Sequence, residues 1–219
     1  MGNDSNILDV ESIKKSVIEG NKERAVELVR EALEKKIEPL KVIDAYVEGI
    51  RIVGDGFGRG EVFLPELIIS AEAMKAAIDI LDEEVLKRGE TREKAGKIVM
   101  GTVEGDIHDI GKTIVGSILS ANGFEVIDIG SNVKPSTFIE KIKETNADIL
   151  GMSALLTTTM VNQKKTIEEL EKEGLRSRVK VIIGGAPTSA EWAEDIGADG
   201  WGKDAIDALK LAKRLMSLD

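Results

Sequence analysis

The apolar residues of this chain change their spacing once, near Lys97, and that change constrains the fold more than any other feature. From Asp4 to about Lys87 they recur every three or four positions, the period of an amphipathic helix. Ile13 and Val17 mark a first helix; Val26, Val29 and Leu33 mark a second. Leu40, Ile43, Val47 and Ile50 mark a third, opened by Pro39, and Ile68, Ala71, Met74, Ile78, Leu81 and Val85 a fourth, opened by Pro65. A glycine-rich stretch, Gly54 to Gly60, reads as the break between the last two. The N-terminal half, residues 1–90, is therefore expected to be an all-α four-helix bundle. The polar run Lys87 to Lys94 reads as a linker.

Beyond Lys97, short β-branched runs alternate with helical ones. Ile98–Val103, Glu125–Ile129, Asp148–Ser153, Val179–Ile183 and Ala198–Trp201 are the strand candidates. Residues 91–219 are thus expected to form an α/β doubly wound, Rossmann- or flavodoxin-like parallel sheet of five strands. Aromatic residues are only 3% of the chain, so the cores must rest on Ile, Val, Leu and Ala, as helices packed on a parallel sheet do. In such sheets ligands bind beyond the carboxyl ends of the strands. Those ends are Gly105–Gly111, Gly130–Lys134, Ser153–Thr159 and Gly184–Ser189.

Composition removes several functions. A net charge of −10 disfavours phosphate backbones, so no nucleic-acid partner is expected. With no cysteine, disulfides, thiolate metal sites and cysteine nucleophiles are excluded together. No apolar run approaches the roughly 20 residues that span a bilayer, nor does the N-terminus carry a signal-peptide core. A cytoplasmic setting without membrane partners is expected.

The loop after the first strand reads Gly105-Asp106-Ile107-His108-Asp109-Ile110-Gly111-Lys112-Thr113. It imitates a phosphate-binding P-loop, which needs four residues between its first glycine and the Gly-Lys pair. Here five intervene, and two are carboxylates where phosphate oxygens would lie. A metal reading suits the residues better. Imidazole ligates cobalt-like metals, and a ligating His usually donates its other ring N–H to a carboxylate, which Asp106 could supply. On this spacing alone, a lone surface histidine at a strand end beside a capping aspartate is the commoner outcome.

Asp106-x-His108-x-x-Gly111, then Ser153-x-Leu155, then Gly184-Gly185 resembles the signature of B12-binding domains that take the corrinoid base-off with histidine as lower ligand. The wider strings Gly101 to Lys112 and Gly151 to Met160 resemble the corrinoid proteins of methanol, methylamine and methoxyaromatic methyltransferase systems, and the cobalamin module of methionine synthase. Val53 to Phe57 and Glu61 to Leu67 extend the likeness into the helical half. The resemblance implies that His108 ligates cobalt, that Asp106 holds its far nitrogen, and that Thr159 extends the relay, where the methionine synthase module carries Ser. It further implies cofactor contacts at Ile110, Gly111, Ser153, Leu155, Thr157, Gly184 and Gly185, the glycines lining a slot for the nucleotide tail. Phe57, Leu64 and Leu67 match residues of a movable cap that shields the upper face. Two commoner roles compete with these: bundle core for the three cap residues, and a helix N-cap for Thr157 to Thr159.

The function so implied is that of a methyl carrier. Cobalamin or a related corrinoid, cycling between methylcobalamin and Co(I), would accept a methyl group from a substrate-specific methyltransferase. A second methyltransferase would pass it to a thiol or tetrahydropterin, and a reductive activase would restore the cofactor. The chain has no separate donor site and no spare His or Cys, so it reads as a carrier subunit rather than a complete enzyme. The alternatives in the same resemblance are a corrinoid-dependent sensor and the small subunit of an adenosylcobalamin mutase. The first lacks a basic helix pair here, and the second a substrate barrel.

Overall fold

The computed structural model describes residues 9–88 and 95–218, and the chain separates into two units, Met1–Glu93 and Lys94–Asp219. Most of the expected linker, and the expected helical residues before Asp9, lie outside the described residues.

The first unit is helical: α1 (Val10–Ile18), α2 (Lys22–Glu34), α3 (Pro39–Gly58) and α4 (Leu64–Lys87). Each start has a local cause. The Asp9 and Asn21 side chains accept from Ser12 N and Arg24 N, both at 3.0 Å, and so satisfy first-turn donors. Pro39 sits in the first turn of α3, where its missing N–H costs nothing. In α4 the Glu66 carboxylate reaches back to Phe63 N at 2.7 Å. α3 packs on α1 and α4, and α2 packs on α4. Tyr46, the single tyrosine, is fully buried, and its hydroxyl donates to Ala25 O at 2.6 Å. Burial pushes its pKa up.

The glycine-rich stretch is not a break. α3 continues through Gly54 and Gly56 to Gly58, and only Arg59 to Phe63 turn the chain. A Cβ on Gly56 would stand 2.8 Å from Val62 Cγ2, so this glycine lets the returning chain lie against the helix.

In the second unit strands and helices alternate: β1 (Gly96–Thr102), α5 (Ile110–Ala121), β2 (Phe124–Asp128), α6 (Pro135–Thr145), β3 (Ile149–Ser153), α7 (Val161–Lys172), β4 (Lys180–Gly184), α8 (Ala190–Asp195), β5 (Gly200–Gly202) and α9 (Ala205–Leu215). The five strands are parallel, in the order β2-β1-β3-β4-β5. This is the expected doubly wound sheet, with boundaries one or two residues from those read in the sequence. Val99, Leu150, Val181 and Ile183 meet Phe138, Ile142, Ile167 and Leu170 on one face, under α6 and α7. Ile98, Met100, Ile149 and Ile182 meet Leu119, Leu211 and Ala212 on the other, under α5 and α9. The chain leaves β1 toward β2 and then returns past it to β3. The loops after β1 and β3 therefore face each other across the switch point, where ligands of open α/β sheets bind. Both tryptophans belong to this unit; Trp192 Nε1 donates to Gln163 Oε1 at 3.0 Å and Trp201 Nε1 to Thr188 Oγ1 at 2.9 Å.

No helix among the described residues is long and apolar enough to cross a membrane.

Candidate functional site

Asp106 organises the switch point. It is fully buried, and both carboxylate oxygens are used. Oδ1 accepts from His108 N at 3.1 Å and lies 2.7 Å from His108 Nδ1. Oδ2 accepts from Leu155 N at 2.8 Å, Leu156 N at 3.3 Å and Thr159 Oγ1 at 2.7 Å. One side chain thus joins the loop after β1 to the loop after β3. Burial alone would push its pKa up, but the bonds from Thr159, His108 and Leu155 outweigh that and hold it well below the usual carboxylate range. A carboxylate can only accept, so His108 donates from Nδ1, which leaves Nε2 as the ring nitrogen for any metal.

The His108 side chain is about half exposed (48%). Among the described residues nothing bonds its Nε2, and no cluster of three His, Cys, Asp or Glu exists to hold a metal ion. A single imidazole retains a metal only when the metal brings other ligands of its own, as one inside a macrocycle does. The surroundings suit a broad apolar ring. Ile107 and Ile110 flank His108 and are 74% and 73% exposed, and Leu155 and Leu156 across the switch point are 41% and 43% exposed. Large aliphatic side chains so close together are seldom left to water without a partner.

The sheet face toward the α5–α9 layer is left partly open at the strand ends, a gap lined by small residues. On that face Gly151, Ser153 and Gly184 are half-buried, whereas Leu150, Met152 and Ile183 on the opposite face are sealed. Thr113 to Ser117 of α5 are half-buried without exception. A Cβ on Gly111 would meet nothing within 4 Å. At Gly185 the backbone has φ +120°, and a Cβ would fall 1.7 Å from Ala154 O, so only glycine lets β4 end this close to β3. The donor, the apron and the small-residue gap together fit a planar metal macrocycle carrying a tail.

Among the residues singled out in the sequence, Asp106, His108, Thr159, Leu155, Ile110 and Gly111 meet at the switch point, with Ser153, Gly184 and Gly185 at the adjoining strand ends. Thr157 is exposed, and no hydrogen bond from its side chain is seen. The capping role of the Thr157–Thr159 run does not hold: α7 starts at Val161 after Met160 with no side-chain cap, because Thr159 is spent on Asp106 and on Leu156 O at 3.0 Å. Lys112 does not face the loop as a P-loop lysine would. It is buried and ion-paired to Asp128 at the end of β2. In the helical unit Phe57 and Leu64 are half-buried, and Leu67 has no exposed surface. Asn132 and Asn162, which hold the backbone of the His108 loop, escaped the sequence reading.

Comparison with known proteins gives a consistent answer. A family model described as a B12 binding domain matches residues 96–210, and a second of the same description matches residues 10–82. A corrinoid protein of Desulfitobacterium hafniense is 46% identical over 209 residues, 94% of this chain and 97% of that one. Trimethylamine corrinoid protein 2 of Methanosarcina acetivorans is 46% identical over 201 residues, 91% and 93% of the two chains. The crystal structure of the methanol:cobalamin methyltransferase complex MtaBC from Methanosarcina barkeri superposes with a TM-score of 0.85 at 31% identity, covering 95% of this chain and 79% of that one.

Proposed function

The chain belongs to the B12-binding family of corrinoid proteins, and from that premise we propose that it carries methyl groups between a substrate-specific methyltransferase and an acceptor methyltransferase. The observation that carries this reading is the half-exposed imidazole whose Nδ1 is fixed by a buried, fully hydrogen-bonded carboxylate, on loops that also leave four large aliphatic side chains exposed. The bound corrinoid would supply a cobalt centre that takes up a methyl group as a cation equivalent and gives it up again. The protein's own residues do the rest. His108 Nε2 would ligate the metal, and Asp106 fixes the ring and would make it a stronger donor. Gly111, Ser153 and Gly184 would leave room for a displaced nucleotide tail, and Gly185 lets β4 end close beside β3, so the binding mode assigned is base-off and His-on. Ile107, Ile110, Leu155 and Leu156 keep water from the lower face.

The partners assigned to the chain follow the family: one methyltransferase loads it, a second unloads it to a thiol or tetrahydropterin, and a reductive activase rescues oxidised cofactor. Relatives named for trimethylamine and dimethylamine stand at 41–46% identity, and among solved structures the monomethylamine corrinoid protein stands at 37% against 31% for the methanol complex, which favours a methylated amine as donor. Cobalamin-loaded protein mixed with a methylamine methyltransferase and its substrate should show the optical change of methylation. Loading by a methanol methyltransferase instead would redirect the donor assignment.

Two substitutions test the site. His108→Ala should abolish the nitrogen splitting that an axial imidazole imparts to the Co(II) spin resonance, while the tail gap retains part of the cofactor. An unchanged splitting would remove His108 from the metal. Gly111→Ala should raise the stability of the apoprotein by up to about 1 kcal/mol, since alanine is the better helix former and its methyl meets no atom. The same methyl should weaken cobalamin binding, because the space it fills is the space assigned to the tail. Equal affinity in the two proteins would move the tail elsewhere.

A further inference from the structure

The His108 loop is held by residues outside it. Alternate peptide groups from Glu104 to His108 are gripped from three other segments. Asn162 Nδ2, in the first turn of α7, donates to Glu104 O at 2.8 Å. Asn132 Oδ1, after β2, accepts from Gly105 N at 2.7 Å, and Asn132 N donates to Asp106 O at 2.8 Å. The buried Thr102 hydroxyl at the end of β1 donates to His108 O at 2.8 Å. Asn132 is in the left-handed region at φ +55°, which Asn tolerates better than most residues and which lets its side chain and its own N–H face the same loop.

Asn162 carries a cost that marks its purpose. Its Oδ1 is buried with no partner among the described residues, which costs it the solvation it would have in water. Flipping the amide would not relieve this, because Oδ1 would then oppose Glu104 O at hydrogen-bond distance. The bond that Nδ2 donates is what this position supplies.

We infer that Asn132 and Asn162 are positioning residues that pre-shape the His108 loop, so that the axial ligand is set before the corrinoid arrives. This rests on the reading of His108 as metal ligand. Such preorganisation removes the ordering cost that a free loop would impose on binding.

The test uses the full chain in two states. In the apoprotein, amide hydrogen exchange is followed at Gly105 and Asp106; after loading with cobalamin and reduction to Co(II), the axial nitrogen splitting and the affinity are measured. Asn132→Gly keeps the backbone freedom and removes the acceptor. It should speed Gly105 exchange about tenfold, weaken cobalamin about tenfold and reduce the fraction with axial nitrogen. Asn132→Asp restores the acceptor and should restore all three. Asn162→Ala should reduce the axial-nitrogen fraction likewise. Wild-type exchange and splitting in both Asn132→Gly and Asn162→Ala would overturn the inference. So would faster exchange with an unchanged splitting, since the clamp would then not set the ligand. Failure of the underlying reading is separate and shows as axial nitrogen persisting in His108→Ala.

Discussion

Asp106→Ala should cost about 3–5 kcal/mol of folding stability at neutral pH, the usual penalty for removing one member of a buried, charge-assisted network. Leu155 N, Leu156 N and Thr159 Oγ1 lose the oxygen they share, and His108 N and Nδ1 lose theirs. Against a typical total of about 5–15 kcal/mol, that loss brings the sheet unit near its threshold. Asp106→Asn separates charge from shape. It keeps the size and one acceptor but sets an NH2 against donors, so it should fall between wild type and alanine.

The pH dependence has a definite sign. Hydrogen bonds hold the Asp106 pKa below its ordinary value in the folded chain. Its contribution is therefore fully present above the unfolded carboxylate pKa of about 4, and is lost as pH falls through the lower folded value. Urea unfolding of wild type and Asp106→Asn should show a stability gap that is open at about pH 5 and closes as the pH falls below about 4. A gap that instead held or widened between about pH 4 and about pH 2 would mean the native carboxyl is protonated, and the donor assignment at His108 would go with it.

Gly185→Ala should be the most damaging of the glycine substitutions. Its Cβ would overlap Ala154 O at 1.7 Å and crowd Ala154 C at 2.6 Å, both backbone atoms that no rotamer can withdraw. The strained φ and the forced separation of strand ends together cost about 2–6 kcal/mol. The shift must pass into the β3–β4 junction, where Ala154 N donates to Gly184 O at 3.1 Å, so cobalamin binding should fail even where the variant folds. Thermal unfolding and equilibrium dialysis read the two effects separately. A variant with wild-type midpoint and affinity would show that the junction is free to open.

The sequence disclosed the architecture because both units are built on strong periods, 3.6 in one and alternating runs in the other. Its errors cluster at glycine. Gly54 and Gly56 read as a break because glycine lowers helix propensity, yet packing against Val62 required that small surface within α3. The same residue type signals a turn or a close approach, and one sequence does not tell which. At the site, Asp106 and His108 were legible as a motif with a mechanism. Asn132 and Asn162 were not, because they serve backbone atoms brought near by the sheet order, and a peptide group leaves no mark on the residue that binds it. Thr159 was legible as a hydroxyl, but its partner was fixed only when the loops after β1 and β3 met.

The placement of the aromatic residues gives each unit its own emitter. Tyr46 is the only tyrosine and lies in the helical unit, while Trp192 and Trp201 are the only tryptophans and lie in the sheet unit. Indole fluorescence excited at the red edge therefore reports on the sheet unit alone, and tyrosine emission on the helices. Trp192 leans on Gln163, which donates to Met152 O at 3.1 Å and Gly184 O at 3.2 Å, so its spectrum senses the strand ends that line the tail gap. A visible-absorbing macrocycle seated there would quench indole by energy transfer. Uptake, release and the separate melting of the two units become measurable in the unlabelled protein.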